Sequence, residues 1–158
     1  MNDDPLVTSQ TALAMSDAVA ALILVEDDGY LMQLRDPLPQ IWYPNRWGLF
    51  GGAVEPGEDP VPALARELRE ELELELKEAR FFTRFDFDLG GIGLPRYFRS
   101  YYTVSISRAE SQRLVLHEGA EMRVFSGPEI LTQPLISPYD EFALFLHYGR
   151  ARLGAPKP

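Results

Sequence analysis

Apolar residues along the chain fall into three kinds of run, and each kind predicts a different element. Residues 18–25, AVAALILV, are apolar at every position, the pattern of a central strand covered on both faces. Asp27-Asp28-Gly29 is a tight-turn signal, and residues 30–35 return as a second strand. Trp47-Gly48-Leu49-Phe50 reads as a third. From 60 to 72 the spacing changes to three and four: Val61, Leu64, Ala65, Leu68 and Leu72 form a stripe that predicts a helix packed on a sheet. Asp59 stands at its N-cap and Pro60 at its first position. The following ELELELK alternates, with Leu72, Leu74 and Leu76 on one side, and predicts a strand directly after the helix. Residues 81–89 alternate too, with Phe81, Phe85, Phe87 and Leu89 on one side. Gly90-Gly91-Ile92-Gly93 turns the chain, and residues 97–106 form the partner strand. Residues 122–125 make a further strand, and Ser126-Gly127-Pro128-Glu129 opens a short helical turn. Ser137 and Pro138 suit the N-cap and first position of a last helix, whose expected buried stripe is Phe142, Leu144, Phe145 and Tyr148. His147, near its C-terminus, is expected to serve the helix dipole.

The polar face of the first helix carries the candidate chemistry. Glu67, Glu70 and Glu71 stand at i, i+3 and i+4 and share one face. Like charges at this spacing destabilise a bare helix by roughly 0.2 to 0.5 kcal/mol per pair. A hard divalent cation with oxygen ligands would offset the repulsion. So would a solvated acidic face in which Arg66 and Arg69 pair with Glu70 and Glu73.

The whole stretch from Gly52 decides between them. It runs Gly52, five residues, Glu58, seven residues, Arg66-Glu67-Leu68-Arg69-Glu70-Glu71, one residue, then Glu73 and Leu74. This resembles the Nudix box, G-x5-E-x7-R-E-U-x-E-E-x-G-U with U a bulky aliphatic, at every fixed position except the last glycine, where Glu73 stands. The resemblance implies an α/β fold, the Nudix-type α/β/α sandwich with a mixed curved sheet. It also implies a hydrolase of a nucleoside diphosphate linked to another group X. Mg2+ or Mn2+, two or more per site, would be held by Glu67, Glu70, Glu71 and the Gly52 carbonyl. Glu58 and Arg66 would form the ion pair that ties the loop to the helix. At the helix exit the missing glycine leaves Glu73 to adopt a left-handed turn at a cost of about 1 kcal/mol.

Outside the box the resemblance implies one more carboxylate from the loop before the last strand, as metal ligand or general base. Glu118 fits, and His117 is its rival, since some members acting on sugar nucleotides use a histidine there. Glu70, Glu71, Glu118 and Arg66 are thus the catalytic candidates. Candidates for substrate binding are less fixed. Arg35 ends a strand, either facing a phosphate or facing solvent. Trp42 and Tyr43 lie in a loop with three prolines, residues 36–46, and either stack on a base or pack beneath the loop. Asp140 either reads a purine edge, as a polar residue at the start of the last helix does in some members, or completes a capping box with Ser137. Arg84, Arg96 and Arg99 either grip an anion or are ordinary exposed cations.

Bulk properties narrow the partners. The 158 residues, 46% hydrophobic, suit one domain, expected over 17–150 between tails at 1–16 and 151–158. A net charge of -9 argues against long nucleic acids but not against a single nucleotide accompanied by metal. The absence of cysteine removes thiol chemistry and thiolate metal sites. No basic leader or long apolar segment is seen, so a cytoplasmic protein without membrane contact is expected, and a homodimer stays open. The expected substrate is a nucleoside triphosphate, an oxidised purine one included, giving a nucleoside monophosphate. The alternatives are a nucleotide sugar and, in another class, a catalytically silent nucleotide-binding or regulatory module of the same fold.

Overall fold

A computed structural model describes residues 18–41, 43–88, 90–93, 96–132 and 135–150. The expected tails, Trp42 and Leu89 lie outside the described residues. In chain order the elements are β1 (Ala18–Val25), β2 (Gly29–Leu34), β3 (Trp47–Gly48), β4 (Phe50–Ala53), α1 (Pro60–Leu72), β5 (Arg80–Phe87), β6 (Tyr97–Ile106), α2 (Arg108–Ser111), β7 (Glu121–Phe125), α3 (Gly127–Thr132) and α4 (Pro138–Gly149).

β1 is the centre, and its pairing explains its unbroken apolar run. Along one edge it runs parallel to β6 over its full length. Along the other it pairs antiparallel first with β4, through residues 18–21, and then with β2, through residues 23–25. β1 and β2 therefore splay apart, and the segment from Trp47 to Ala53 fills the gap. It pairs with β2 as β3, breaks at Leu49, and pairs with β1 as β4. β7 covers the outer side of β2, and β5 covers β6. The result is a mixed, curved sheet with helices on both faces, an α/β/α sandwich.

The two faces of β1 enter two cores. Val19, Ala21, Ile23 and Val25 pack with Leu64, Leu68 and Leu72 of α1, while Ala20 and Leu22 pack with Tyr101, Phe125, Ala143 and Leu144 on the α4 side. The three α1 leucines are fully buried, each worth roughly 1.5 to 3 kcal/mol. Val61, the first member of the predicted stripe, is instead 40% exposed, and Ala63 is buried. Asp59 stands at the N-cap with extended backbone, but its side chain makes no capping bond.

Three sequence patterns mislead. Residues 73–79 keep their alternation, with Leu74 buried, but lie in no sheet. Glu73 turns left-handed (φ 55°, ψ 27°), and the Leu72 carbonyl is taken by the Val115 N–H of a distant loop at 3.2 Å. In β5 a bulge at Phe81/Thr83 breaks the period of two. Phe82 and Phe85 then share the α4 side, while Phe81 leans on Tyr102 and stays 61% exposed. In α4 the inward face is Tyr139, Asp140, Ala143, Leu144 and His147, and Phe142, Phe145 and Tyr148 point outward. Counting apolar residues selects the wrong side because two polar groups on the buried one are bonded internally.

His147 is one of those two. Its Nδ1 lies 2.7 Å from the Tyr30 hydroxyl, and its ring meets Phe82 edge-on at 5.1 Å. Burial, helped by Arg150, pushes its pKa down to about 4, so the ring is neutral and a dipole-compensating charge does not form.

Two predictions follow from these elements. An unfolded histidine binds its proton near 6.5, so the stability held by neutral His147 is complete above that pH and is lost as pH falls toward 4. Urea unfolding at pH 7 and pH 4 should show the wild type losing roughly 2 to 3 kcal/mol more than His147→Gln. At the helix exit, Glu73→Gly should relieve about 1 kcal/mol of left-handed strain but lose the exposed Glu73–His117 contact at 2.7 Å. The gain in melting temperature should thus be larger in a His117→Ala background than in the wild type.

Candidate active site

Arg66 organises the ends of the box. Its guanidinium takes Glu58 in a fork, at 3.1 and 3.0 Å, and donates to the Ala53 carbonyl at 2.9 Å and to Glu67 at 2.8 Å. This joins the loop before α1, the end of β4 and the acidic face of the helix. Glu67 in turn lies against the Gly52 backbone, where an added Cβ would sit 2.5 Å from the carboxyl group. Only a glycine leaves that room.

Glu71 is the most enclosed of the acids, at 3% exposure. One oxygen accepts from the Gly51 N–H at 2.9 Å, the other from Gln33 Nε2 at 3.4 Å. Burial pushes its pKa up to about 8, the Gly51 bond pulls it back in part, and the negative charges of Glu118 and Glu67 push it further up. Glu67 is shifted up as well, by burial, with Arg66 opposing.

Glu118 arrives on a loop pinned at three points. The His117 N–H donates to the Glu71 carbonyl at 2.9 Å, the Gly119 N–H to Asp36 at 3.2 Å, and the Ala120 N–H to the Leu34 carbonyl at 2.9 Å. Gly119 has φ 89°, and a Cβ there would strike Gln33 at 2.8 Å. Glu118 thereby lines the same cavity of about 650 Å3 as Glu67, Glu71, Gly51 and Gly52. The neighbouring His117 side chain turns to Glu73 and is not among the lining residues. Glu70 also lies outside the lining, largely exposed and 3.6 Å from Arg66.

Away from these acids the cavity wall changes character, with Arg35, Leu38, Ile41, Tyr97, Arg99 and Tyr139. Tyr43, at φ 50°, packs edge-on to Tyr139 at 5.6 Å. Asp140 lies beneath this wall at 2% exposure and makes no capping box. Its oxygens accept from the Leu49 N–H at 2.9 Å and the Tyr101 hydroxyl at 3.3 Å, and face Arg99 at 3.4 Å. The other two hairpin arginines go elsewhere. Arg84 stacks on Phe98 and Arg96 pairs with Asp86.

The NUDIX domain model matches residues 15–142. The chain belongs to the Nudix hydrolase family. Members act on small nucleotides and generally use a divalent metal such as Mg2+. The chain is 45% identical over 49 residues to the nucleoside triphosphatase NudI of Salmonella agona (strain SL483) and 43% identical over 49 residues to that of Escherichia coli O1:K1 / APEC. Each match spans 31% of this chain and 35% of the relative, about a third of its length. Among solved structures, the MutT protein of Methanosarcina mazei Go1 superposes with TM-score 0.71 at 21% identity, over 89% of this chain and 99% of that one. The E. coli dihydroneopterin triphosphate pyrophosphohydrolase gives 0.62 at 18%, over 87% and 99%. At these identities the two structures support the Nudix fold alone.

The cavity acids suit the family's metal. Glu67, Glu71 and Glu118 supply the hard oxygen donors that Mg2+ takes. A buried carboxylate facing two more also gains from a cation. Among the described residues no three acidic or histidine side chains already close around one point, since Arg66 draws Glu67 aside and Gly51 holds Glu71. No described helix is long and apolar enough to cross a membrane.

Four polar side chains of the cavity lining escape the sequence reading: Gln33, Asp36, Tyr97 and Tyr139. Gln33 had a signal, a polar side chain within an otherwise apolar strand. The Gly52 contact yields a prediction of its own. Because the clash of Gly52→Ala is with the movable end of Glu67, the variant should keep its fold and melting temperature. Its Mn2+ affinity, read by calorimetry, should fall by about tenfold.

Proposed function

We propose that the protein hydrolyses a nucleoside triphosphate to a nucleoside monophosphate and pyrophosphate, with Mg2+ or Mn2+ bound by Glu67, Glu71, Glu118, Glu70 and the Gly52 carbonyl. The observation that carries this reading is Glu71, a buried carboxylate held by Gly51 and Gln33 and facing Glu67 and Glu118 across a nucleotide-sized cavity. The partial likeness to the nucleoside triphosphatase NudI supports the choice of a triphosphate.

The chain's own groups divide the work. Glu118, on its pinned loop, takes the proton of the attacking water, whose oxygen bonds to phosphorus as the bridging P–O bond breaks and pyrophosphate departs with the released charge. Gly51 and Gln33 hold Glu71, and Arg66 holds Glu67, so both carboxylates stay at the cavity and need only short movements to meet a cation. Arg35 adds a positive charge to the cavity wall away from the acids, near Tyr139 and Asp140. The bound cations would supply Lewis-acid neutralisation of the phosphate charge.

The nucleotide-sugar alternative rests on His117 as base, and the His117–Glu73 contact outside the cavity speaks against it. A silent binding module would have no use for three acids converging on one cavity.

Pyrophosphate release from a panel of nucleoside triphosphates with Mg2+ or Mn2+ tests the proposal. Glu71→Gln and Glu118→Gln should each lower kcat by roughly a hundredfold or more, Glu70→Gln should also lower it, and His117→Ala should change it little. A larger loss in His117→Ala than in Glu118→Gln would make histidine the base and restore the nucleotide-sugar reading.

A further inference from the structure

Arg99 is placed where a surface cation would not be. Its side chain is 11% exposed, and it lines the cavity. Its contacts among the described residues are the 3.4 Å approach to Asp140 and cation–π contacts with Tyr101 and Tyr139, at 5.7 and 5.1 Å to the ring centroids. None of these is a hydrogen bond, and Nε is buried without an acceptor. A guanidinium carries five N–H donors, and leaving buried donors unmet is costly. Nε points to Asp140 Oδ1 but at 3.4 Å makes no hydrogen bond with it, and both Asp140 oxygens already accept elsewhere, from Leu49 and Tyr101. Asp140 balances the charge of Arg99, and a guanidinium has donors and no acceptor, so a ligand group that reaches Arg99 in the cavity must itself accept.

The sheet register says which part of a nucleotide that is. Ala18 of β1 stands opposite Ala53 of β4 on one side and Arg99 of β6 on the other. Arg99 is therefore two strand spacings, about 10 Å, from the end of β4 where Gly52 and Glu67 lie. Directly paired residues point to the same face of a sheet, so Arg99 projects to the α4 side with Tyr101, whereas Gly52 meets Glu67 on the α1 side. The cavity runs around the open end of β1 from acids to Arg99. A nucleotide whose phosphates lie at the acids extends its base toward Arg99. Tyr97 and Tyr139 line the cavity there and offer aromatic walls for a ring.

We propose that Arg99 selects the base by donating to adjacent acceptors, and so favours guanine, whose O6 and N7 match the guanidinium fork, over adenine, whose N6 amino group is a donor. This rests on the proposed nucleotide hydrolysis and adds its base class. Oxidation of guanine at C8 places a hydrogen on N7 and removes one of the two acceptors, so Arg99 disfavours the oxidised base.

Binding of dGMP, dAMP and 8-oxo-dGMP, titrated by calorimetry without divalent metal, tests Arg99 apart from turnover. The wild type should bind dGMP about tenfold or more tighter than dAMP and tighter than 8-oxo-dGMP. Arg99→Lys keeps the charge beside Asp140 but loses the fork, so it should stay folded and bring dGMP and dAMP within about twofold of each other. Arg99→Gln, whose amide matches adenine N6 and N7, should favour dAMP. Equal affinities in the wild type, tighter 8-oxo-dGMP binding, or an equal loss for every nucleotide in Arg99→Lys would overturn the assignment, the last because Arg99 would then serve phosphate or the fold. Triphosphate turnover in the same preparations separates the two proposals. Turnover with no base preference sinks the role of Arg99 alone, and a dGMP preference without turnover sinks the hydrolysis alone.

Discussion

The peptide of Leu49 is the point on which both ends of the cavity depend. Here the chain leaves β2 and joins β1, so its backbone groups have no strand partner and must be met by side chains. The N–H goes to Asp140 at the start of α4, and the carbonyl goes to Gln33, whose amide also reaches Glu71 on α1. One residue in a splayed sheet thus ties the helix on one face to the helix on the other. It also fixes the path of the next four residues, which include the Gly51 N–H that holds Glu71 and the Gly52 backbone that meets Glu67.

The electrostatics follow from this frame. An acidic chain with a net charge of -9 gathers carboxylates at one end of its cavity, and most of its nearby cations serve other ends. Arg66 ties the box together, and Arg69 pairs with Glu75 in solvent. Burial of Glu71, with Glu67 and Glu118 nearby, disfavours its charged form, and a cation there would favour it. Arg99 has the inverse arrangement, a buried cation at the cavity wall whose charge is offset by Asp140.

The elements set by strong local patterns were legible from sequence. These include the unbroken run of β1, the turn into β2, α1 with its proline start, and β6. The left-handed exit at Glu73 was legible from the one glycine that the box lacks. What failed depended on distant partners. Nothing local says that residues 73–79 find no strand neighbour, or that a bulge in β5 turns Phe82 inward and Phe81 outward. In α4 the buried face contains Asp140 and His147, which look unfit for burial until Leu49, Tyr101 and Tyr30 are in place. The acids were legible because they sit close together on one helix. Gln33, Tyr97 and Tyr139 come from three separated elements that only the sheet order brings to one wall, and Arg99 was visible only as a charge, not as a buried one.

The alternation of side chains along β1, β4 and β6 has a consequence for how such a protein can diversify. The α1 acids and the aromatic wall of the cavity lie on opposite faces of the same few strands, each backed by its own core and its own helix. Positions 97, 99 and 139 belong to β6 and α4, whereas Glu67 and Glu71 belong to α1. Substrate range can therefore drift through generations of substitution on one side of the sheet while the reaction stays under separate selection on the other.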